Sequence, residues 1–158
     1  FEYVYDYLLS LGYVNYEFSS FAKPGYECKN NVTYWNRGKY IGFGPSAHSF
    51  DGVKRKWNIS NNQKYIEKIK LNSIAYESEI LSETDILNEI IMIGLRTSEG
   101  LDLDLIESKF SNLNLEKLIQ QIQLKIMDGV LVKTDNKLHP SRDYKFLTDG
   151  IASDLFIT

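Results

Sequence analysis

Two segments of the chain, residues 16–35 and 40–50, contain the groups that could bind a ligand. The second segment includes the run Gly42-Phe43-Gly44-Pro45-Ser46-Ala47, in which Phe43 is the one bulky side chain. At the end of a strand, such a run lets backbone amides approach a ligand at the carboxyl edge of a sheet. Small residues also serve tight packing, so the run by itself leaves ligand binding and packing open as alternatives.

The composition is typical of one ordinary globular domain or two small ones. The chain has 158 residues, of which 43% are hydrophobic and 25% charged, and its net charge is −3. These values exclude disorder and coiled coil as the main structure and give no overall attraction for nucleic acid or anionic membranes. The sequence contains no apolar run of about 18 residues and no signal-peptide pattern. It therefore predicts a soluble cytoplasmic protein without a transmembrane segment.

The aromatic-rich first part of the chain predicts alternating helix and strand. Apolar spacing predicts a helix over residues 1–11, which Gly12 ends. A strand is predicted over residues 13–18, a long irregular loop over 19–39 and a short strand over 40–43. This order is typical of an α/β architecture, in which strands need parallel neighbours.

The second part predicts a helical domain with a small hairpin. Helical periodicity with capping residues indicates three helices, and Asp135-Asn136 suits a tight hairpin turn between two short apolar runs. The predicted ranges are 82–96, 102–110 and 114–129 for the helices, 130–139 for the hairpin and 147–156 for a last helix. Three helices followed by a two-stranded wing form a winged-helix pattern.

The charge of the third helix bears on whether this pattern indicates DNA binding. Its basic residues, Lys117 and Lys125, are balanced by Glu116 and Asp128. A helix that binds nucleic acid needs a basic face to neutralise phosphates. We therefore expect no nucleic-acid partner, and instead a domain that packs against the rest of a longer protein.

Cys28 is the single cysteine of the chain. It excludes an internal disulfide and an all-cysteine zinc site built from this chain alone. The chain begins without Met and inside an amphipathic aromatic pattern, as though cut from something longer. We expect it to be part of a longer polypeptide.

Residues 16–35 and 42–49 together resemble one protein family. The first range reads Tyr-Glu-Phe-Ser-Ser-Phe-Ala-Lys-Pro-Gly-Tyr-Glu-Cys-Lys-Asn-Asn-Val-Thr-Tyr-Trp, and the second reads Gly-Phe-Gly-Pro-Ser-Ala-His-Ser. Both are similar to the C-terminal part of the radical S-adenosylmethionine (SAM) proteins related to oxygen-independent coproporphyrinogen III oxidase, and most of all to the HemW-type haem chaperones. The resemblance spans essentially the whole chain and includes residues 95–96, 128–131 and 147–150.

The resemblance implies an α+β fold, in which the tail of a partial (β/α) radical SAM barrel precedes a helical, winged-helix-like domain. The implied ranges are 1–57 for the barrel tail, 58–74 for a linker helix and 75–158 for a HemN-type C-terminal domain. The implied partners are the N-terminal radical SAM barrel of the parent, haem or porphyrin, and a haem-accepting protein.

The resemblance also implies site residues. These are Gly44, Ser46 and Ala47 for SAM, and Cys28, Asn31, Tyr34 and His48 for haem. Ala47 would leave space for SAM and offer a backbone contact. Each haem candidate considered has a structural alternative: Cys28 as a small buried hydrophobe, His48 as a structural histidine and Tyr34 as a core aromatic.

Two positions distinguish branches within the resemblance. Ser19 stands where the related coproporphyrinogen dehydrogenases have an acidic residue associated with SAM binding, which favours the chaperone branch. Asn30 stands where the haem-binding motif has His, and an amide cannot act as an axial iron ligand as a neutral imidazole does. The ligand would then have to come from Cys28, Tyr34 or His48.

Radical SAM chemistry needs a [4Fe-4S] cluster held by three cysteine thiolates of a C-x-x-x-C-x-x-C loop. With Cys28 alone, this chain is expected to be catalytically silent. The cluster, SAM and haem are expected cofactors of the full-length parent, and none is expected to bind this chain tightly. The predicted function of the parent is haem binding and delivery; the alternatives are oxidative decarboxylation of coproporphyrinogen III and a non-enzymatic interaction module.

Overall fold

The chain has an α+β fold of short strands and mostly short helices. A computed structural model describes residues 2–158, so the predicted helix start at Phe1 lies outside the described residues. The helices are α1 Glu2–Ser10, α2 Lys29–Trp35, α3 Asn62–Lys70, α4 Glu83–Arg96, α5 Leu103–Lys109, α6 Glu116–Met127 and α7 Thr148–Asp154. The strands are β1 Val14–Glu17, β2 Ser20–Ala22, β3 His48–Phe50, β4 Lys54–Asn58, β5 Tyr76–Ile80, β6 Leu101–Asp102, β7 Leu131–Thr134 and β8 Lys137–Pro140.

The chain divides into two compact units. The first unit contains the residues up to 29 together with residues 83–158, and the second contains residues 30–82. These units cut across the implied boundaries at 57 and 74. The assignment of residues 1–57, 58–74 and 75–158 to barrel, linker and C-terminal domain therefore stays a prediction.

An apolar core holds the first unit together. Leu87, Ile91 and Leu95 recur at helical spacing, so they lie on one face of α4, and all three are buried. The rest of the buried cluster comes from α5 to α7 and the strands β6 to β8: Leu101, Ile106, Phe110, Leu118, Ile122, Leu131, Leu138, Ile151, Ala152 and Leu155. Burial of each large apolar side chain contributes about 1.5–3 kcal/mol.

The three predicted helices of the first unit are confirmed. Helix α4 begins directly after Ser82. Asp102 is the N-cap of α5, and its Oδ1 accepts a hydrogen bond from the backbone N–H of Leu105 at 2.9 Å. Before α6, the side-chain oxygen of Asn114 accepts from the N–H of Glu116 at 3.1 Å. Side chains that satisfy amides of the first turn explain where these two helices begin.

The predicted hairpin is also confirmed, but the last helix is shorter than predicted. Strands β7 and β8 are antiparallel and pair Thr134 with Lys137, and Asp135 between them has a φ of +53°. Strand β6 adds a third member beside β8. The helix predicted over about 147–156 is confirmed as α7, Thr148–Asp154, which ends two residues earlier than predicted and follows a 3-10 helix, Arg142–Leu147.

A short hairpin connects α1 to the core of the first unit. Strands β1 and β2 are antiparallel and follow α1 directly. The backbone N–H of Ser98 donates to the carbonyl of Tyr16 at 3.1 Å, and Glu17 forms a β-bridge with Thr97. These bonds hold the start of the chain beside the end of α4.

Residues 19–58 contain most of the differences from the predicted elements. Residues 19–39 include β2 and α2 instead of one irregular loop. The predicted strand over 40–43 is wrong: Tyr40 makes only an isolated bridge to Phe50, and the sheet is formed by β3, β4 and β5. A helix, α3, lies within the range 58–74 that was predicted as a linker, and Asn61 caps its N-terminus; its role as a linker stays a prediction.

The strands of this sheet pair in the order β3-β4-β5. Every strand pair among residues 2–158 is antiparallel, so the described residues provide no parallel neighbour for the strands predicted in the first part of the chain. Of the helices in that part of the chain, none is both long and apolar enough to span a membrane.

Candidate functional site

The predicted SAM segment, residues 42–47, is a loop that folds back on itself. Gly44 has a φ of +95° and Ser46 a φ of +60°, and both values are incompatible with a continuing strand. A Cβ at Gly42 would overlap the carbonyl oxygen of His48, so only glycine permits this close approach. The strand prediction over 40–43 failed because these conformations come from contacts with residues further along the chain.

Hydrogen bonds within the second unit occupy two of the backbone amides in this loop. The N–H of Ser46 donates to the carbonyl of Ile59 at 3.3 Å, and that of Ala47 donates to the carbonyl of Gly44 at 3.3 Å. The side-chain amide of Asn58 donates to the same Gly44 carbonyl at 2.8 Å. Asn58 therefore holds the loop in place, a role that no local sequence signal indicates.

The structure places the predicted haem candidates in different elements. Cys28 is a free, exposed thiol in the first unit. The alternative prediction, that Cys28 is a small buried hydrophobic residue, is therefore wrong. His48 begins β3 and is exposed, with its ring 6.4 Å from that of Trp57 on the neighbouring strand. Asn31 and Tyr34 belong to α2 in the second unit. Of the four, only Asn31 and Tyr34 share an element.

Tyr34 is the first ring in a chain of aromatic contacts. It is 43% exposed, and its ring meets that of Tyr40 edge to face, with 4.6 Å between the centroids. Tyr40 in turn lies 6.2 Å from Phe50, which is buried at the end of β3. The edge-to-face geometry is favourable for aromatic pairs, so Phe50 and Tyr40 hold Tyr34 in place.

A basic groove lies beside these rings in the second unit. It has a volume of about 530 Å³, and its lining includes Tyr40 and Phe50 with the ammonium-bearing Lys39, Lys54 and Lys56. The structure places the three consecutive basic residues Lys54, Arg55 and Lys56 on β4. No local sequence pattern groups Lys39 with Lys54 and Lys56, because these residues come together only in the folded chain.

Asp51 is the one carboxylate in the lining of this groove. Its Oδ1 accepts hydrogen bonds from the backbone N–H groups of Lys54 at 2.8 Å and Val53 at 3.1 Å. These bonds stabilise the charged form and lower the pKa of Asp51, and Lys56 and Lys39 contribute in the same direction. Since this carboxylate is engaged by backbone groups, the groove still presents an excess of positive charge to a ligand.

The described residues do not fit an iron–sulfur cluster. No group of three or more His, Cys, Asp or Glu side chains in residues 2–158 is arranged to hold a metal ion. A [4Fe-4S] cluster needs several thiolates, and Cys28 is the only cysteine.

The second half of the chain is similar to a known domain family. Residues 81–143 match the family model of the HemN C-terminal domain. This range contains α4, α5, α6 and the β7–β8 hairpin.

Among curated proteins, the chain is similar to heme chaperones. Heme chaperone HemW of Lactococcus lactis subsp. lactis (strain IL1403) is 32% identical over 140 residues, covering 88% of this chain and 36% of that protein. Heme chaperone HemW of Bacillus subtilis (strain 168) is 29% identical over 143 residues, covering 89% of this chain and 37% of that protein. The chain thus spans roughly a third of the length of these relatives.

Among solved structures, the fold is similar to that of coproporphyrinogen III oxidase (HemN) from Escherichia coli, which is described as a radical SAM enzyme. The match has a TM-score of 0.74 and covers 98% of this chain and 39% of that chain, at 17% sequence identity. At this identity the likeness concerns the fold.

Proposed function

We propose that this chain, which is similar to heme chaperones HemW and whose residues 81–143 match the HemN C-terminal domain, binds haem within a protein that delivers haem to haem-requiring proteins. The observation that carries the proposal is the meeting of Tyr34, its aromatic neighbour Tyr40 and a lysine-lined groove in the second unit. This combination matches a flat apolar ligand that bears carboxylates.

The aromatic rings supply the apolar half of the proposed site. Haem is a flat macrocycle, and exposed aromatic side chains contact such a face with large area and little loss of conformational freedom. Tyr34 is partly exposed on α2 and is braced by Tyr40. We propose that the Tyr34 ring contacts the macrocycle, while Asn31 on the same helix offers its side-chain amide.

The lysines supply the polar half. Haem carries two propionates, and ammonium groups form charge-assisted hydrogen bonds with carboxylates. Lys39, Lys54 and Lys56 line the groove next to Tyr40 and Phe50. We propose that these ammonium groups hold the propionates and so orient the macrocycle toward Tyr34.

Several finer features belong to the same proposal. We propose that residues 1–57 are the tail of a partial (β/α) radical SAM barrel, 58–74 a linker helix and 75–158 a winged-helix-like domain. We also propose that the parent protein is cytoplasmic, holds a [4Fe-4S] cluster elsewhere, and binds SAM with help from Gly44, Ser46 and Ala47. Cys28 and His48 stay candidates for the iron ligand. The oxidase alternative differs because only a cluster-loaded protein could convert coproporphyrinogen III.

A haem titration followed by visible absorption tests the proposed site. The 158-residue chain should give a Soret band that saturates near one haem per chain. The combined variant Lys39→Gln, Lys54→Gln and Lys56→Gln should bind haem roughly tenfold more weakly, because three charge contacts of up to about 1 kcal/mol are lost. The matched control is Lys64→Gln, Lys68→Gln and Lys70→Gln on α3, which loses the same charge and should bind as the wild type does. Absence of a Soret change would favour the interaction module, and equal loss in both variants would remove the groove from the proposal.

The exposed Asn30 offers a second test on α2. Residues 30 and 34 are one helical turn apart, so Asn30→His would present an imidazole on the face that carries Tyr34. We expect this variant to bind haem more tightly and to shift the Soret maximum, since imidazole ligates iron and an amide does not. Asn36→His, just after α2, adds the same side chain off this face and should leave the titration unchanged. An unaltered titration for Asn30→His would contradict the role of this motif.

A further inference from the structure

A second cavity, distinct from the lysine-lined groove, lies within the first unit. It has a volume of about 460 Å³ and opens between α1, the β1–β2 hairpin, the end of α4 and the 3-10 helix before α7. Its lining includes three aromatic rings, three cations and one carboxylate: Tyr5, Phe18 and Phe146, Arg96, Arg142 and Lys145, and Glu2. Cavities of this volume are in the range that binds small molecules.

Aromatic side chains form the apolar walls of this cavity. Phe18 and Phe146 meet edge to face, with 6.2 Å between the centroids and 87° between the planes. The third ring, Tyr5, packs against Phe21 in the same manner at 5.7 Å. Because the rings support one another, they offer a preformed surface for a flat hydrocarbon ring.

Lys145 places an ammonium group in the cavity, and the two groups that this ammonium contacts are neutral. Its ammonium donates a hydrogen bond to the side-chain oxygen of Asn15 and lies 4.5 Å from the centroid of the Tyr5 ring. Partial burial lowers the pKa of Lys145, and the charge of Glu17 acts in the opposite direction. An amide and a ring satisfy an ammonium less well than a carboxylate does, so an entering anion would improve its environment.

The arginines that line the same cavity already have anionic partners. Arg96 is 2.6 Å from Asp149, and Arg142 is 2.7 Å from Asp6. These ion pairs fix the two guanidinium groups at the edge of the cavity. Lys145 is therefore the cation best placed to take the negative group of a ligand.

We infer that this cavity binds a small aromatic carboxylate, with the carboxylate on the Lys145 ammonium and the flat ring between Tyr5, Phe18 and Phe146. The inference does not depend on haem binding, because none of these residues lines the lysine groove of the second unit. The cavity would be a second site for a negatively charged ligand, and this ligand is smaller than haem.

Binding of 2-naphthoate to the 158-residue chain, measured by calorimetry, tests the inference. We expect a dissociation constant of about 0.1–1 mM, which is normal for a ligand of this size. The uncharged analogue 2-naphthalenemethanol should bind roughly tenfold more weakly, because it lacks the charge-assisted bond. No binding of 2-naphthoate, or equal binding of the two compounds, would overturn the inference.

Variants of Lys145 test whether the ligand binds in this cavity. Lys145→Gln should weaken 2-naphthoate binding roughly tenfold, whereas Lys145→Arg should retain most of it. Lys133→Gln removes the same charge from the exposed face of β7 and should have no effect. Circular dichroism checks that each variant is folded. If Lys145→Gln does not fold, amide chemical shifts of the wild type decide: shifts confined to the neighbourhood of residues 5, 15 and 145 support the site, and shifts confined to residues 30–82 contradict it.

Discussion

Gly100 allows the first unit to place His139 against the turn after α4. Gly100 has a φ of +77°, and a Cβ at this residue would lie 2.5 Å from Cε1 and 2.7 Å from Nε2 of the His139 ring. His139 is partly buried, and this burial, helped by the charge of Lys137, lowers its pKa. The imidazole therefore stays neutral at neutral pH, as a structural side chain does.

Replacing Gly100 by Ala should destabilise the first unit by two effects. Ala at a positive φ costs about 1–2 kcal/mol, and overlap with the His139 ring adds about 1–3 kcal/mol. Gly129→Ala is the matched control, since Gly129 has a φ of +70° with nothing near its missing Cβ. Urea unfolding followed by circular dichroism should give a larger loss of unfolding free energy for Gly100→Ala. Equal losses would show that the His139 contact is unimportant.

Helix α4 is the element that organises the first unit, because α7, β6 and β8 all pack on it. Its close approach to β6 depends on Gly94, where a Cβ would lie 2.7 Å from the Cα of Leu101. Leu101 is fully buried, so the strand cannot move away without opening the core. Helical propensity alone would disfavour a glycine at this place.

Opposite effects of Ala substitution are expected at two helical glycines. Gly94→Ala should lower the unfolding free energy by about 1–3 kcal/mol, because the added methyl pushes α4 away from β6. Gly150→Ala in α7 meets nothing within 4 Å and should raise the unfolding free energy by about 0.5–1 kcal/mol through helix propensity. Chemical unfolding of both variants against the wild type measures this difference. A neutral or stabilising Gly94→Ala would contradict the packing described for α4.

At the scale of the whole molecule, the two units carry different chemistry. The second unit contains the loop at residues 42–47, most of α2 and the lysine groove, while the first contains the aromatic cavity. The chain spans 36% of the length of the Lactococcus lactis relative.

We expect the chain by itself to bind SAM weakly. The amides of Ser46 and Ala47 are engaged within the second unit, so this loop offers few free donors to a ligand. Calorimetry with SAM at about 100 µM should show no saturable binding, on a sample whose circular dichroism spectrum confirms folding. A dissociation constant of about 10 µM or tighter would contradict this expectation.

Local patterns account for what the sequence predicted correctly. The helices α4 to α6 follow from apolar spacing and from caps such as Asp102 and Asn114, and the β7–β8 hairpin follows from Asp135-Asn136. Each of these signals acts over a few residues. The HemW-like resemblance, which rests on short motifs, was likewise readable from the sequence.

Long-range contacts decided the rest. All residues of strand β5 are exposed, and its apolar and polar residues alternate poorly. The strand forms because it pairs with β4, about twenty residues earlier in the chain. The loop at Gly44 is shaped by Asn58, and the groove brings Lys39 to Lys54 and Lys56. The cavity at Lys145 needs α1 and the 3-10 helix side by side. Such pairings depend on which distant segments can bury surface together, and this is a property of the folded chain that local spacing does not encode.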